Sequence, residues 1–173
     1  MGTKEIKYEG KYLKFINDNS WEYVERKNCS GVAGILAVND LDEVILVEQF
    51  RKSINKNLIE FPAGLVGDSG ENEAIETAAL RELEEEAGYS AKKVTIVAEG
   101  PTSSGLTSET VTLVYAEGLK KVSSGGGVES ENIIVHEIPL KEIDIWLKQK
   151  EKEGCLIDLK VYSGLYLLNS LRK

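Results

Sequence analysis

Three glutamates, Glu82, Glu85 and Glu86, stand at i, i+3 and i+4 within Arg81-Glu82-Leu83-Glu84-Glu85-Glu86. On an α-helix that spacing projects all three carboxylates from one face. One reading is a solvated acidic face, since Glu runs are common and like charges at this spacing destabilise a helix only modestly. The other is a shared site. Packed in a cleft, two unit charges 4 Å apart repel by about 4 kcal/mol at an effective dielectric of 20. A divalent cation turns that repulsion into binding. Mg²⁺ favours carboxylate oxygens, keeps several waters and commonly bridges to phosphates. It polarises a phosphoryl oxygen and helps generate hydroxide. The chemistry that suits these residues is metal-assisted hydrolysis of a phosphate compound.

The element that must carry them is a helix over Glu71–Ala87. Ala74, Ile75, Ala78, Ala79, Leu83 and Ala87 recur at helical spacing as an apolar stripe. Ser69 is a candidate cap and Gly88 a natural stop. Before it the chain alternates like β structure. Lys11–Ile16 and Trp21–Glu25 read as strands around Asn17-Asp18-Asn19-Ser20. Val32–Val38 and Val44–Phe50 read as a hairpin, and Phe61-Pro62-Ala63-Gly64 opens a loop that runs to Gly70. After the helix, Val94–Ala98, Val111–Ala116 and Ile133–Ile138 are expected strands. Ser123–Gly127 is expected to be a mobile loop, because a Ser/Gly run has little with which to build a core. Leu140–Lys150 and Asp158–Leu171 are expected helices, the latter with Leu165, Leu168 and Leu171 facing inward. Strands that precede and flank isolated helices, without βαβ alternation, predict an α+β fold or an α/β/α sandwich with a mixed sheet.

Composition excludes several alternatives. The 173 residues fit one domain with a small N-terminal extension, which we place at residues 1–28 and 29–173. No window carries the ~18 uncharged apolar residues of a membrane helix. The start, Met1 to Ile6, has no signal-peptide core, and Ile6 stands where a myristoylation motif wants Ser or Thr. A cytoplasmic location is therefore the expectation. Cys29 and Cys155 match no metal spacing and read as free buried thiols. His136, the sole histidine, reads as structural. The net charge of −8 and the lack of a Lys/Arg cluster argue against nucleic acid. For an anionic substrate the same charge requires local cations that reverse the field at the site.

The stretch Gly67 to Tyr89 is more specific than any of this. It reads Gly67, five residues, Glu73, seven residues, Arg81-Glu82-Leu83, one residue, Glu85-Glu86, one residue, Gly88-Tyr89. This resembles the Nudix box at every defined position. Seven positions are fixed residues; at roughly 7% each, chance agreement is on the order of 10⁻⁸ per starting point. The resemblance implies a loop–helix–loop in an α/β/α sandwich, with Glu82, Glu85 and Glu86 on the metals. It makes Arg81 structural, bracing the helix through Glu73, and gives Gly67 and Gly88 to tight turns. It implies Mg²⁺ as cofactor, with Mn²⁺ a possible substitute.

The flanks resemble the ADP-ribose pyrophosphatase and NDP-sugar hydrolase branch. Glu60-Phe61-Pro62-Ala63-Gly64-Leu65 implies that the Ala63 carbonyl is a metal ligand. Val47-Glu48-Gln49-Phe50-Arg51 implies that Arg51 reaches the substrate's phosphates or ribose. Ser103 to Glu109 resembles a Ser-Pro-Gly loop followed by Glu, and implies substrate contacts at Ser104, Gly105, Leu106 and Glu109. Ser104 stands where the ADP-ribose signature has Pro, which leaves room for an NDP-hexose. Glu129 and Glu131, after Gly125-Gly126-Gly127, match a catalytic loop in which either could be the base. Trp21 and Glu22 match base-contacting positions, Trp21 by stacking and Glu22 by accepting from a base amine. In this branch the N-terminal strands swap between subunits, which implies a homodimer. Three activities stay open: a pyrophosphatase for ADP-ribose or related nucleoside diphosphate sugars, a hydrolase of oxidised or other nucleotide derivatives, and a Nudix-like sensor that binds nucleotides without cleaving them.

Overall fold

The computed structural model describes residues 4–67, 73–127 and 132–172. Three N-terminal strands, β1 (Lys4–Glu9), β2 (Leu13–Asp18) and β3 (Trp21–Arg26), pair antiparallel in sequence order as their own sheet. Seven more strands precede and follow the first helix: β4 (Gly31–Ala37), β5 (Glu43–Arg51), β6 (Lys56–Glu60) and β7 (Ala63–Val66), then α1 (Ile75–Ala87), then β8 (Tyr89–Ser90), β9 (Lys93–Pro101) and β10 (Thr110–Glu117). The chain ends with β11 (Lys120–Lys121), β12 (Ile133–Pro139), a 3-10 turn at Leu140–Glu142, α2 (Ile143–Lys152), β13 (Leu156–Ile157) and α3 (Leu159–Leu171). Two four-stranded mixed sheets, β7-β4-β10-β9 and β12-β5-β6-β13, form the middle layer.

Strand alternation sorts side chains to the two faces. Ala33, Ile35, Ala37, Ile45, Val114 and Ala116 bury against Ala78, Ala79, Leu83 and Ala87 of α1. Leu36, Val44, Leu46 and Ile59 face the other way and bury against Ile143 and Leu147 of α2 and Val161 and Leu168 of α3. The result is the α/β/α layering expected from sequence.

Several local expectations change. β4 and β5 do not form a hairpin: they enter different sheets and share one bridge, Val38 to Val44. Both are apolar on both faces, as suits strands covered on two sides rather than a half-exposed ribbon. The segment read as a loop after Phe61 is β7, paired antiparallel with β4. α1 begins at Ile75 rather than Glu71, with Ala74 at its N-cap and no side-chain cap bond; Ser69 lies outside the described residues. Glu73 is drawn off the helix by other partners, the Gly67 N–H and Arg81. Leu171 is 45% exposed rather than inward, because Leu168, Gly164 and Val161 take the buried stripe of α3.

The Ser/Gly run 123–127 is docked, not loose. The Gly126 and Gly127 N–H groups donate to the Glu86 and Glu85 carbonyls at 2.9 and 3.0 Å, satisfying the open end of α1. A Cβ at Gly125 would stand 2.5 Å from the Glu86 carbonyl oxygen, and one at Gly88 would stand 2.4 Å from that of Ser123. These glycines permit close backbone approach.

One polar knot ties the α2 layer to the sheet. Glu48 is buried and accepts from Asn57 (2.8 Å), Lys150 (2.8 Å) and His136 Nε2 (3.0 Å), with the Cys155 thiol at 3.6 Å. Because the carboxylate can only accept, the proton of the neutral imidazole sits on Nε2. Burial alone would raise the Glu48 carboxyl, but bonds from Lys150, Asn57 and His136 outweigh it and hold it at about 2. Its folded pKa thus lies below the unfolded value, so the stabilisation is full above pH ~4.5 and is lost as pH falls toward 2. Holding the carboxyl at about 2 instead of its ordinary value corresponds to on the order of 3 kcal/mol. Glu48→Gln is expected to lower stability at pH 7 by about 2–3 kcal/mol and to flatten the acid limb of urea-unfolding stability between pH 4.5 and 2. An unchanged acid limb would place the pH sensitivity elsewhere.

Candidate active site

A cleft of about 450 Å³ opens where β5, β6, β7, β10 and the N-terminus of α3 meet α1. Glu60, Ala63, Gly64, Glu82, Glu86, Glu109, Arg26, Arg51, Gln49 and Lys160 contribute to its walls. A larger groove of about 540 Å³ between Leu140, Ile143 and Leu168 has no such gathering of charge, its ion pair being Arg172 with Asp42.

α1 supplies the acids. Glu82 and Glu86 lie four residues apart on the helix, are 9% and 6% exposed, and face the cleft. Glu86 Oε2 accepts from the Ala63 N–H at 2.9 Å, which fixes the carboxylate against β7. Glu85 turns toward Arg81 at 3.3 Å and does not line the cleft. The three-glutamate face is therefore split into two cleft carboxylates and one at its outer edge. Among the described residues no three Asp, Glu, His or Cys side chains come together as a closed metal set. Two hard carboxylates in an open polar cleft still fit a divalent cation that keeps waters and takes oxygens from its ligand.

Arg81 braces this corner. Its Nε reaches Glu73 Oε1 (3.2 Å), its Nη1 reaches Glu82 Oε1 (2.7 Å), and its Nη2 reaches the Leu65 carbonyl (3.2 Å). Glu73 in turn accepts from the Gly67 N–H at 3.1 Å. Hydrogen bonds from Arg81 and Gly67 hold the Glu73 carboxyl below its usual range, and Glu73 foremost keeps the Arg81 guanidinium protonated. Gly67 and Gly88 both have φ of 75°, left-handed backbone that favours glycine.

Gly64 has a different reason to be glycine. A Cβ there would stand 1.8 Å from Glu82 Cδ and 2.0 Å from Oε1. β7 can lie this close to the acidic face of α1 only without a side chain. The sequence reading assigned Gly64 no role, since the requirement exists only once the strand and helix meet.

Three cations face the acids. Arg51, at the end of β5, donates from Nε to Glu60 at 2.6 Å. Arg26, at the end of β3, donates from Nε to Glu109 at 2.5 Å. Lys160, in the first turn of α3, is paired with Asp158, which also caps that helix by accepting from the Lys160 N–H at 2.7 Å. Arg26 and Lys160 were not singled out from sequence. Neither sits in a motif, and only the docking of β3 and α3 brings them to the cleft.

The remaining candidates spread out. β3 is anchored to the 103–109 loop by Val24 N–H to the Leu106 carbonyl (2.8 Å) and Ser108 N–H to the Val24 carbonyl (3.2 Å). Glu109 reaches the cleft wall, whereas Ser104, Gly105 and Leu106 are exposed on the loop and off it. Trp21, 61% exposed, and Glu22 are also off the cleft of a single chain. Glu129 and Glu131 lie outside the described residues. His136 belongs to the Glu48 knot, stacked edge-on against Trp146 at 4.9 Å. Cys155 is buried and Cys29 only half-buried.

Comparison with known proteins identifies the family and the fold. The NUDIX domain family profile matches residues 29–155. The chain is 32% identical over 121 residues to the methanol dehydrogenase activator of Bacillus methanolicus, covering 69% of this chain and 64% of that one. It is 38% identical over 113 residues to the ADP-ribose pyrophosphatase of Bacillus subtilis, covering 65% and 60%. It is 34% identical over 147 residues to the GDP-mannose pyrophosphatase of Cronobacter sakazakii, covering 80% and 72%. For the first two relatives, less than two thirds of their own length is matched. The crystal structure of an ADP compounds hydrolase superposes with a TM-score of 0.75 over 98% of this chain and 93% of that one, at 22% identity, and so shares the fold. With its box complete and the family profile spanning most of its length, the chain belongs to the Nudix family.

Proposed function

We propose that the chain is a Mg²⁺-dependent pyrophosphatase that cleaves ADP-ribose or a related nucleoside diphosphate sugar into a nucleoside monophosphate and a sugar phosphate. The observation that carries this reading is the pairing, in one cleft, of the buried carboxylates Glu82 and Glu86 with the guanidinium groups of Arg26 and Arg51. Relatives named for ADP-ribose and GDP-mannose support the substrate class.

The lining holds three cations, Arg26, Arg51 and Lys160, against four carboxylates, Glu60, Glu82, Glu86 and Glu109. Unaided, it does not attract a pyrophosphate. Glu82, Glu86 and the Ala63 carbonyl would hold Mg²⁺ (or Mn²⁺), which supplies charge neutralisation and Lewis acidity at a phosphoryl oxygen. Arg51 and Arg26 fork onto phosphate or ribose oxygens, and Lys160 offers a point charge to the same group. Arg81 and Glu73 hold the acidic helix in register. Glu129 or Glu131 is the proposed base that takes a proton from the attacking water.

A homodimer fits the N-terminal sheet, which leaves Tyr8, Tyr12, Leu13 and Trp21 exposed. Trp21 and Glu22 would then serve a site they do not reach within one chain. No helix among the described residues is long and apolar enough to cross a membrane, and the buried Cys155 thiol suits a reducing compartment such as the cytoplasm.

Purified protein with Mg²⁺ is expected to release AMP and ribose 5-phosphate from ADP-ribose, or the corresponding products from GDP-mannose. Tight nucleotide binding without turnover of either would instead favour the sensor. Turnover confined to oxidised nucleotides would favour the hydrolase of oxidised or other nucleotide derivatives.

A further inference from the structure

We propose that Glu60 is a positioning residue that sets the Arg51 guanidinium for end-on capture of a phosphate, and that Glu109 does the same for Arg26. The inference rests on the reading above that these arginines meet the substrate's phosphates.

Arg51 and Glu60 end the two strands of one hairpin, β5 and β6, on the same face of the sheet. Arg51 pairs across with Lys56 and Glu60 with Val47, so the arginine must reach back along the hairpin toward the acid. The bond it makes is from Nε, at 2.6 Å. Arg26 meets Glu109 in the same way, from Nε at 2.5 Å, although the partners are 83 residues apart. In both pairs the acid is the more buried member: the side chains are 9% exposed for Glu60 against 40% for Arg51, and 17% for Glu109 against 35% for Arg26. A largely buried carboxylate, at the end of β6 in one pair and in the loop just before β10 in the other, thus anchors a more exposed, flexible arginine at its inner nitrogen.

A guanidinium is a rigid planar fork. With Nε taken, the Nη1/Nη2 edge remains to meet two oxygens of one phosphate side by side. Anchoring also removes in advance part of the side-chain freedom that binding would otherwise remove. The arrangement has an electrostatic drawback, since each carboxylate adds a negative charge beside an anion site. A pair present only to neutralise the arginine would weaken phosphate binding. A pair present to orient it would strengthen binding despite that charge. The two roles therefore predict opposite signs.

The test compares Glu60→Ala, which removes the acceptor, with Glu60→Gln, which keeps an acceptor oxygen and removes the charge. Binding of ADP in the presence of Mg²⁺ is measured by calorimetry, and KM and kcat are measured with ADP-ribose. Glu60→Ala is expected to raise Kd and KM about tenfold with kcat changed far less, and Glu60→Gln to recover most of that loss. In an Arg51→Ala background, Glu60→Ala is expected to add nothing. Unchanged or tighter binding by Glu60→Ala overturns the proposal, as does a penalty that persists in full without Arg51. A Gln variant as impaired as Ala overturns it too, since charge rather than position would then be the cause. Should Glu60→Ala not fold, Glu60→Ser takes its place. If Arg51→Ala alone leaves ADP binding intact, the phosphate role of Arg51 is what has failed. Binding of ADP without turnover of ADP-ribose would remove the pyrophosphatase reading while leaving the positioning role measurable.

Discussion

Glu86→Gln is expected to lower kcat/KM at least about a hundredfold, since even partners outside a metal's own ligand set cost 10–100-fold. The substitution is close to isosteric. Its amide oxygen can still accept from the Ala63 N–H, which Glu86 Oε2 now does at 2.9 Å. The link between α1 and β7 therefore survives, and melting should shift little. What disappears is one negative charge in a cleft whose two α1 carboxylates are 9% and 6% exposed. A cation held by those oxygens loses a charged ligand, so the Mg²⁺ concentration for half-maximal activity should rise along with the fall in kcat. Steady-state kinetics across a Mg²⁺ titration checks both. Near-native rates at ordinary Mg²⁺ would mean that the metal platform is not on this face of the helix.

Gly64→Ala should be nearly as damaging for a steric reason. The added methyl would occupy the space of the Glu82 carboxyl, 1.8 Å from Cδ and 2.3 Å from Cγ. The obstacle is the far end of a side chain, so the backbone need not yield. Glu82 swings out instead and loses its 2.7 Å contact with Arg81 Nη1. A displacement of about 1 Å in a reacting constellation costs on the order of a hundredfold in rate. The expected result is a folded protein, within about 1 kcal/mol of the parent, that has lost about two orders of magnitude in activity. Urea unfolding and kinetics on one preparation separate the two effects. Parental activity would show that Glu82 has no fixed position to defend. Gly164→Ala is a useful contrast: a Cβ there would meet Phe61 and Leu36 in the core, and should cost stability rather than chemistry.

Some of this was legible without a structure. The i, i+3, i+4 glutamates and the Ala/Leu stripe required a helix that buries one face and presents acids on another, because helical period alone fixes which residues share a face. The full box pattern then identified the family. The order of elements narrowed the class to α+β or an α/β/α sandwich, the family resemblance pointed to the sandwich, and the strand cores were mostly placed, since runs such as Val44-Ile45-Leu46-Val47 leave little choice.

Other features depended on how elements meet. A run of apolar residues does not say which strand it pairs with, so β4 and β5 were read as a hairpin when they belong to different sheets. Glu85 shares the helix face of Glu82 and Glu86, but Arg81 takes it to the edge of the cleft. Gly125 looked like part of a mobile loop until its approach to the Glu86 carbonyl showed why a side chain is excluded. Arg26 and Lys160 lie 134 positions apart by their numbering, yet both line the cleft, to which β3 and α3 each bring a residue. The sequence by itself determined the family and the acidic helix, because local spacing and periodicity encode both. Only the tertiary structure decided which carboxylates face the cleft, which cations oppose them and why Gly64 has no side chain, because each of these depends on distances between segments far apart in the chain.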